Sequence, residues 1–346
     1  MKALIYIGVI LGAGFASGAE IMAYFVDFGR GGFYGLILAA SIFAFTGYAI
    51  WDICAREDVS DYKSFMDAVM GRRFAKVMEA VLGIFMFIIF AAMLAAMGSA
   101  LNESFGMNYT MSIIIVAAIC FFTFLFGMGG IIKLNAYISP VLIGGCILIA
   151  VWTFVMRDRA VFFTPAEATE LMRGQWYISA VTYVGYNIIG AVVILPSLVS
   201  GRGEKVLKPA ILAGVMLFIL GFSIYISLLA NIALVTDVQI PLLALAIRQG
   251  TIFTYLFMLI FLAACFSTAA TNGYAVCATI TGRYRVSGLL LKILICTLGV
   301  VAAMAGFSNF VRVIYPIFAA AGVVEIFFVI KAWLRSKSLI AEGRKM

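Results

Sequence analysis

The run Gly8-Val9-Ile10-Leu11-Gly12-Ala13-Gly14-Phe15-Ala16-Ser17-Gly18-Ala19-Glu20 lies inside a stretch that is otherwise apolar enough to cross a bilayer. Glycine costs a helix about 1 kcal/mol relative to alanine. Glycines at 8, 12, 14 and 18 therefore predict a helix that breaks at membrane depth. A break there exposes peptide N–H and C=O groups, each costing several kcal/mol unless something satisfies it. A buried ligand, an ion or a water-lined cavity would do so, and the stretch reads as a binding site. The plainer alternative is a glycine-rich helix packed closely on its neighbours.

The surrounding composition sets the class. The chain of 346 residues is 65% hydrophobic and 12% charged, too apolar for a soluble domain and right for a polytopic helical membrane protein. The first span carries Glu20 and Asp27, where the hydrophobic core of a cleavable signal peptide would stay neutral. There is no histidine, so the usual proton relay and commonest metal ligand are missing. Cys54, Cys120, Cys146, Cys265, Cys277 and Cys296 all fall in or at the ends of apolar spans. No disulfide and no cysteine metal site is expected. No His/Asp/Glu cluster or nucleophile–base pair points to an enzyme.

Ten spans are expected, at 3–28, 31–55, 74–100, 109–127, 131–156, 175–199, 206–233, 251–280, 287–305 and 308–332. Of the 24 lysines and arginines, only Arg30, Arg157, Arg159, Arg173, Arg248 and Arg312 fall on one side of this threading. The excess on the other side puts both termini in the cytoplasm of a cell-membrane protein. The net charge of +8 is that asymmetry and needs no nucleic acid. Three short loop helices are expected. Residues 60–70 place Tyr62, Phe65, Met66, Val69 and Met70 on one face, at the cytoplasmic interface. Thr164-Pro165-Ala166-Glu167 starts an outer helix ending near Gly174, and Pro241 opens another that Gly250 closes.

The first five spans and the last five are nearly equal in length. Five is odd, so the halves have opposite orientation, which makes an all-α inverted repeat. Residues 1–156 form the first repeat, 157–174 the outer connection with its short helix, 175–332 the second repeat and 333–346 a basic tail. An inverted repeat predicts a second break in the sixth span. There Gly185 and Gly190 flank Tyr186-Asn187. Ordinary tyrosine packing and an interhelical asparagine would read the same way.

These features resemble the LeuT-fold transporters of the amino acid–polyamine–organocation superfamily. The first-helix run is most similar to the small bacterial YkvI-like amino acid permeases. The resemblance implies a secondary transporter working by alternating access about a centre between broken helices 1 and 6. The run Ala264-Cys265-Phe266-Ser267-Thr268 in the eighth span looks like half of the family's sodium site, with Ala264 giving a carbonyl and Ser267 and Thr268 hydroxyls. Carbonyls of Gly8 and Leu11, freed at the end of the first half-helix, would complete a cage of neutral oxygens. Phe15 stands where sodium-coupled neurotransmitter-type relatives place asparagine, which argues against a second sodium site. Lys133 lies at the cytoplasmic end of the fifth span rather than deep within it, which favours sodium over a lysine-borne proton.

The half-helix starting near Ser17 would aim its positive end into the break, where the N–H groups of Ala13, Gly14 and Phe15 suit a carboxylate. Glu20, about two residues further, could hold an amine, carry a proton or fasten the half-helix. Phe15, Ser17, Tyr183, Tyr186, Asn187 and Asn272 would line the pocket, which fits a small neutral amino acid or related zwitterion. An organic cation held by tyrosine faces and Glu20, moved with protons or uncoupled, is the alternative. A channel or membrane sensor is the alternative from another class. No cofactor is expected beyond sodium as coupling ion, and a homodimer is left open. Asp27, Asp52 and Glu79 read as solvated span ends, and Glu325 as a partner of Lys331.

Overall fold

The computed structural model describes residues 2–126, 144–145, 175–199, 201–236, 238–283 and 286–343. All of the fifth expected span except residues 144–145, and the outer helix before Gly174, lie outside the described residues. Within them the chain is almost entirely helical. The first span is divided into α1 (Lys2–Ile10), α2 (Ala13–Ser17) and α3 (Ala19–Tyr24), followed by a single 3-10 turn at Val26–Phe28. Then come α4 (Arg30–Glu57), α5 (Tyr62–Met70), α6 (Arg72–Phe105), α7 (Tyr109–Leu125), α8 (Trp176–Ile194) and α9 (Leu207–Ala230). The described chain ends with α10 (Pro241–Arg248), α11 (Thr251–Arg283), α12 (Gly288–Ala303) and α13 (Tyr315–Gly343). Six of the described helices are long and apolar enough to cross a membrane.

The first span is interrupted twice. Gly12 is extended (φ −76°, ψ 178°) and caps α2, and Gly18 is left-handed (φ 78°), a conformation costly for any residue with a Cβ. The Gly12 N–H turns to the Ile10 carbonyl at 2.8 Å, so the Gly8 carbonyl loses its usual helical partner. Ser17 stitches the second interruption: its hydroxyl donates to the Gly14 carbonyl at 2.6 Å and accepts from the Ala19 N–H at 3.0 Å. The expectation of a half-helix beginning near Ser17 is corrected. Ser17 ends α2, and the segment beyond it begins at Ala19.

Side chains of neighbouring helices satisfy the other carbonyls that helix ends leave open. Ser179 donates to Tyr24 O at 2.7 Å, Tyr225 to Gly29 O at 2.6 Å, Trp51 to Leu195 O at 2.9 Å and Tyr109 to Ala303 O at 2.8 Å. No water reaches such groups in the hydrocarbon, so these bonds set how far each helix runs.

The expected break in the sixth span is absent. α8 is continuous from Trp176 to Ile194. Its Gly185 serves close packing instead: a Cβ there would overlap the Ala319 carbonyl of α13, and one at Gly322 would overlap the Gly185 carbonyl. The two backbones touch because neither residue has a side chain, the usual device where apolar burial gives helices no driving force to associate in lipid. α8 also packs on α4, α4 on α9, and α6 on α7, α11 and α12. The amphipathic loop helix stands as α5, capped by Asp61, which accepts from the Ser64 N–H at 2.9 Å. Phe65, Met66, Val69 and Met70 are buried on its inner face. The hydrogen bonds from Ser64 hold the exposed Asp61 carboxyl below the usual carboxylate range. Asp52 is also not simply solvated: it pairs with Arg56 at 2.9 Å and accepts from the Trp333 indole at 2.8 Å.

If the Gly185–Gly322 contact fixes α8 against α13, Gly322→Val should force the helices apart. The expected cost is about 1–3 kcal/mol, the range for overpacking. It should appear as a lower melting temperature in detergent or nanodiscs, and an unchanged melt would mean the contact is slack.

Candidate functional site: a carboxylate caged by tyrosines

Glu20 sits in the first turn of α3 and is only 4% exposed. Its side chain folds back over the interruption, so that a Cβ at Gly14 would land on the carboxylate itself. Only glycine leaves room for it. Around it stand four tyrosines from three segments: Tyr24 on α3, Tyr183 and Tyr186 on α8, and Tyr315 at the start of α13. Each is electrostatically coupled to Glu20. The rings form a continuous wall. Tyr24 lies 5.6 Å from both Tyr183 and Tyr186, those two lie 5.6 Å apart, and Tyr186 is 5.0 Å from Tyr315. Phe25 and Phe43 pack edge-on against Tyr183 at 5.1 and 5.9 Å.

The cage is polar and unsatisfied. Glu20 Oε2 and the hydroxyls of Tyr183 and Tyr186 are buried without a hydrogen-bond partner. The Tyr186 hydroxyl interacts with Glu20 electrostatically but falls short of hydrogen-bond geometry. Buried polar groups are otherwise almost always paired, so three orphans converging on one spot mark a place for a polar guest. Beside the cage, Phe15 and Tyr183 line a small cavity of about 10 Å³.

Of the residues read from the sequence, Gly14, Glu20, Tyr183 and Tyr186 come together here, and Phe15 lies beside them with Tyr183. Ser17 is a structural stitch, and the Ala13 side chain is outside the description. Asn187 and Asn272 turn their amides back to their own helices, donating to the carbonyls of Tyr183 and Thr268 at 2.9 Å each. Ala264 and Ser267 are buried and Thr268 half-buried on α11, which packs against α2. Gly8 and the buried Leu11 lie at the far side of the interruption, on or beside α1, whose main partners are α8 and α9.

The sequence reading missed two cage members and an ion pair. Tyr24 was findable: four residues after Glu20, it shares a helix face with it. Tyr315 carries no local signal; it directly follows a π-helical turn, Phe310–Ile314. Asp27 is not solvated. It is 6% exposed and pairs with Arg312 of that turn at 2.7 Å, and the Tyr24 hydroxyl donates to Val311 O nearby at 3.1 Å. The opposite end of the first span is tied as well, by Lys2 to Glu204. Glu325 does not pair with Lys331; both its oxygens are buried and unpartnered.

No protein-family model matches the chain. It is 24% identical to the uncharacterized membrane protein YkvI of Bacillus subtilis over 94% of this chain and 93% of that one. It is 22% identical to YyaD of the same organism over 91% of each. Among solved structures, the Eremococcus coleocola manganese transporter superposes with a TM-score of 0.61 at 13% identity, covering 96% of this chain and 77% of that one. A Na+-coupled sialic acid symporter in a substrate-bound outward-open state gives 0.57 at 16% identity, covering 94% and 78%. The chain has the fold of these transporters. The YkvI-like resemblance read from the first helix extends over nearly the whole length.

Removing one member of the Asp27–Arg312 pair leaves the other charge poorly compensated. Arg312→Gln and Asp27→Asn should each cost about 1–3 kcal/mol, less than a fully buried pair because Arg312 is 37% exposed. The double variant should recover part of that loss in a thermal-melting cycle. Strictly additive losses would show that the two do not interact.

Proposed function

We propose that this protein is a secondary transporter, not an enzyme, and that it moves a small amine-bearing solute across the cell membrane by alternating access about Glu20. One observation supports the reading above the rest: a buried carboxylate with no counter-cation among the described residues, walled by tyrosine rings, at an interruption of a membrane helix. An ammonium group fits there twice over, as the missing counter-charge and as a cation against aromatic faces.

Within that class, a small neutral amino acid would put its ammonium on Glu20 and its carboxylate toward the first N–H groups of α2. The position of Glu20 favours the other member of the class, an organic cation or amine. Its carboxylate already lies on Gly14, so a substrate carboxylate beside Gly14 would meet like charge. The ion pairs Lys2–Glu204 and Asp27–Arg312 hold the two ends of the first span, and each is a natural gate. Opening to one side needs one pair broken while the Gly185–Gly322 contact stays intact. The coupling ion we propose is sodium, held by the carbonyls of Gly8, Leu11 and Ala264 and the hydroxyls of Ser267 and Thr268. The release of the Gly8 carbonyl supports this site. The ten-span 5+5 arrangement with cytoplasmic termini is part of the same proposal.

A thermal-shift and binding screen of amines and amino acids in proteoliposome lipid tests the solute. Glu20→Gln should weaken the hit at least tenfold, since a charged hydrogen bond is worth about 1.5–3 kcal/mol. Gly14→Leu should abolish binding while the protein still inserts. Unchanged affinity in both variants would sink the assignment of the centre.

For the ion, sodium should stabilise the protein over potassium by about 1.4 kcal/mol at ten times its Kd. Ser267→Ala and Thr268→Ala should each weaken that difference, and sodium and solute should tighten each other's binding by the same factor. Equal melting in sodium and potassium would reduce the α11 hydroxyls to packing.

A further inference from the structure

A second carboxylate is buried in the bundle, away from the cage. Glu325 stands ten residues after Tyr315 on α13, or about 15 Å along the helix toward the side that holds Lys2 and Glu204. It is 1% exposed, and neither carboxylate oxygen has a hydrogen-bond partner. An isolated carboxylate so placed costs several kcal/mol, whereas the neutral acid costs far less.

Among the described residues, the elements packed on α13 bring it no counter-charge; Arg312 of the turn before it is paired with Asp27. α8 has no charged residue. On α4, Asp52 and Arg56 are paired with each other and Glu57 is exposed. On α6, Arg72, Arg73, Lys76 and Glu79 are exposed, as are Lys331, Arg335 and Lys337 on α13 itself. On α5, Lys63 is exposed and Asp67 half-buried. α5 packs on α13 and carries Tyr62, whose hydroxyl lies within electrostatic reach of both Glu325 and Glu79. Tyr62 is half-buried, and it also lines a cavity of about 600 Å³ together with Lys63, Asp67, Lys76 and Glu79. Tyr62 therefore joins an open polar cavity to the α5–α13 packing, and Glu325 on α13 has no hydrogen-bond partner among the described residues.

We propose that Glu325 is a proton-binding site filled from this cavity past the Tyr62 hydroxyl. In the filling step Tyr62 turns its hydroxyl to Glu325, gives its proton to the carboxylate and takes one from a hydronium ion of the cavity, which is left as water while the tyrosine is neutral as before. The emptying step is the reverse, so no other reactant is consumed. The site gives the protein a proton-dependent equilibrium on the inner side of the cage, whatever the solute at Glu20 and whatever ion occupies the α11 position.

The test uses the full-length protein in lipid nanodiscs, with infrared spectroscopy of protonated carboxyl groups and with melting. At neutral pH the wild type should show a buried carboxylic acid band that Glu20→Gln retains and Glu325→Gln loses. Tyr62→Phe should slow hydrogen–deuterium exchange of that band at least tenfold. A folded state that holds one more proton than the unfolded chain loses stability as pH rises. Melting should therefore fall toward alkaline pH in the wild type and more shallowly in Glu325→Gln. Glu325→Asp keeps a carboxyl, so its band should persist at a displaced frequency, which covers the case in which the glutamine variant fails to fold. A band unchanged in Glu325→Gln or undisplaced in Glu325→Asp overturns the site. Exchange unaffected by Tyr62→Phe overturns the route.

Discussion

A peptide group in hydrocarbon has no water to turn to, and that constraint organises this molecule around its first span. Once Gly12 and Gly18 interrupt the helix, every released N–H and C=O needs a partner from somewhere else in the protein. Ser17 supplies two bonds locally. Ser179, Tyr225 and Tyr24 reach in or out across the bundle to cap Tyr24, Gly29 and Val311. These long-range bonds tie α3 and the turn after it to α8, α9 and the start of α13. Two of these elements, α8 and α13, bring Tyr183, Tyr186 and Tyr315 around Glu20. Satisfying the interrupted backbone and building the cage are one packing arrangement.

Stability is distributed unevenly along this arrangement. The middle is held by backbone-to-backbone contact at Gly185 and Gly322, which tolerates no intervening atom. The ends of the first span are held by charge pairs in half-exposed surroundings, Lys2–Glu204 and Asp27–Arg312. Contacts of the second kind are weaker and can be exchanged for water. A fold with a rigid middle and replaceable end ties can open at either end without losing its centre. Two unpaired carboxylates, Glu20 and Glu325, lie at different depths of the rigid middle, where each is sensitive to whatever cation or proton reaches it.

Much of this was legible in the sequence, because hydrophobic runs and glycines act locally. The apolar runs located most of the helices that the structure describes to within about five residues; the last one runs on to Gly343, through the stretch read as a tail, because its polar residues continue the helix beyond the apolar run. The four glycines before Glu20 announced an interrupted first span, since a helix cost and a lipid cost both follow from residue type alone. The amphipathic α5 and the proline-opened α10 were equally plain. Glycine is ambiguous in one respect, and the sixth span exposed it. Gly185 permits either a break or a close approach, and only the presence of Gly322 on a helix 137 positions later in the chain selects the second.

The charged residues show where local reading ends. Asp27 and Arg312 sit at span ends 285 residues apart, and each alone looks solvated; they pair only because the fold brings the end of the first span against the turn that carries Arg312. Glu325 has Lys331 within two turns of helix, yet the lysine is exposed and the carboxylate faces the interior. Tyr315 joined the cage through topology alone. By itself the sequence determined a helical membrane protein with an interrupted first helix and a carboxylate at its break, because apolar content, glycine cost and charge burial are properties of residues. The tertiary structure decided which carboxylates were left without partners and which rings surround them, because pairing and burial are properties of where distant helices meet.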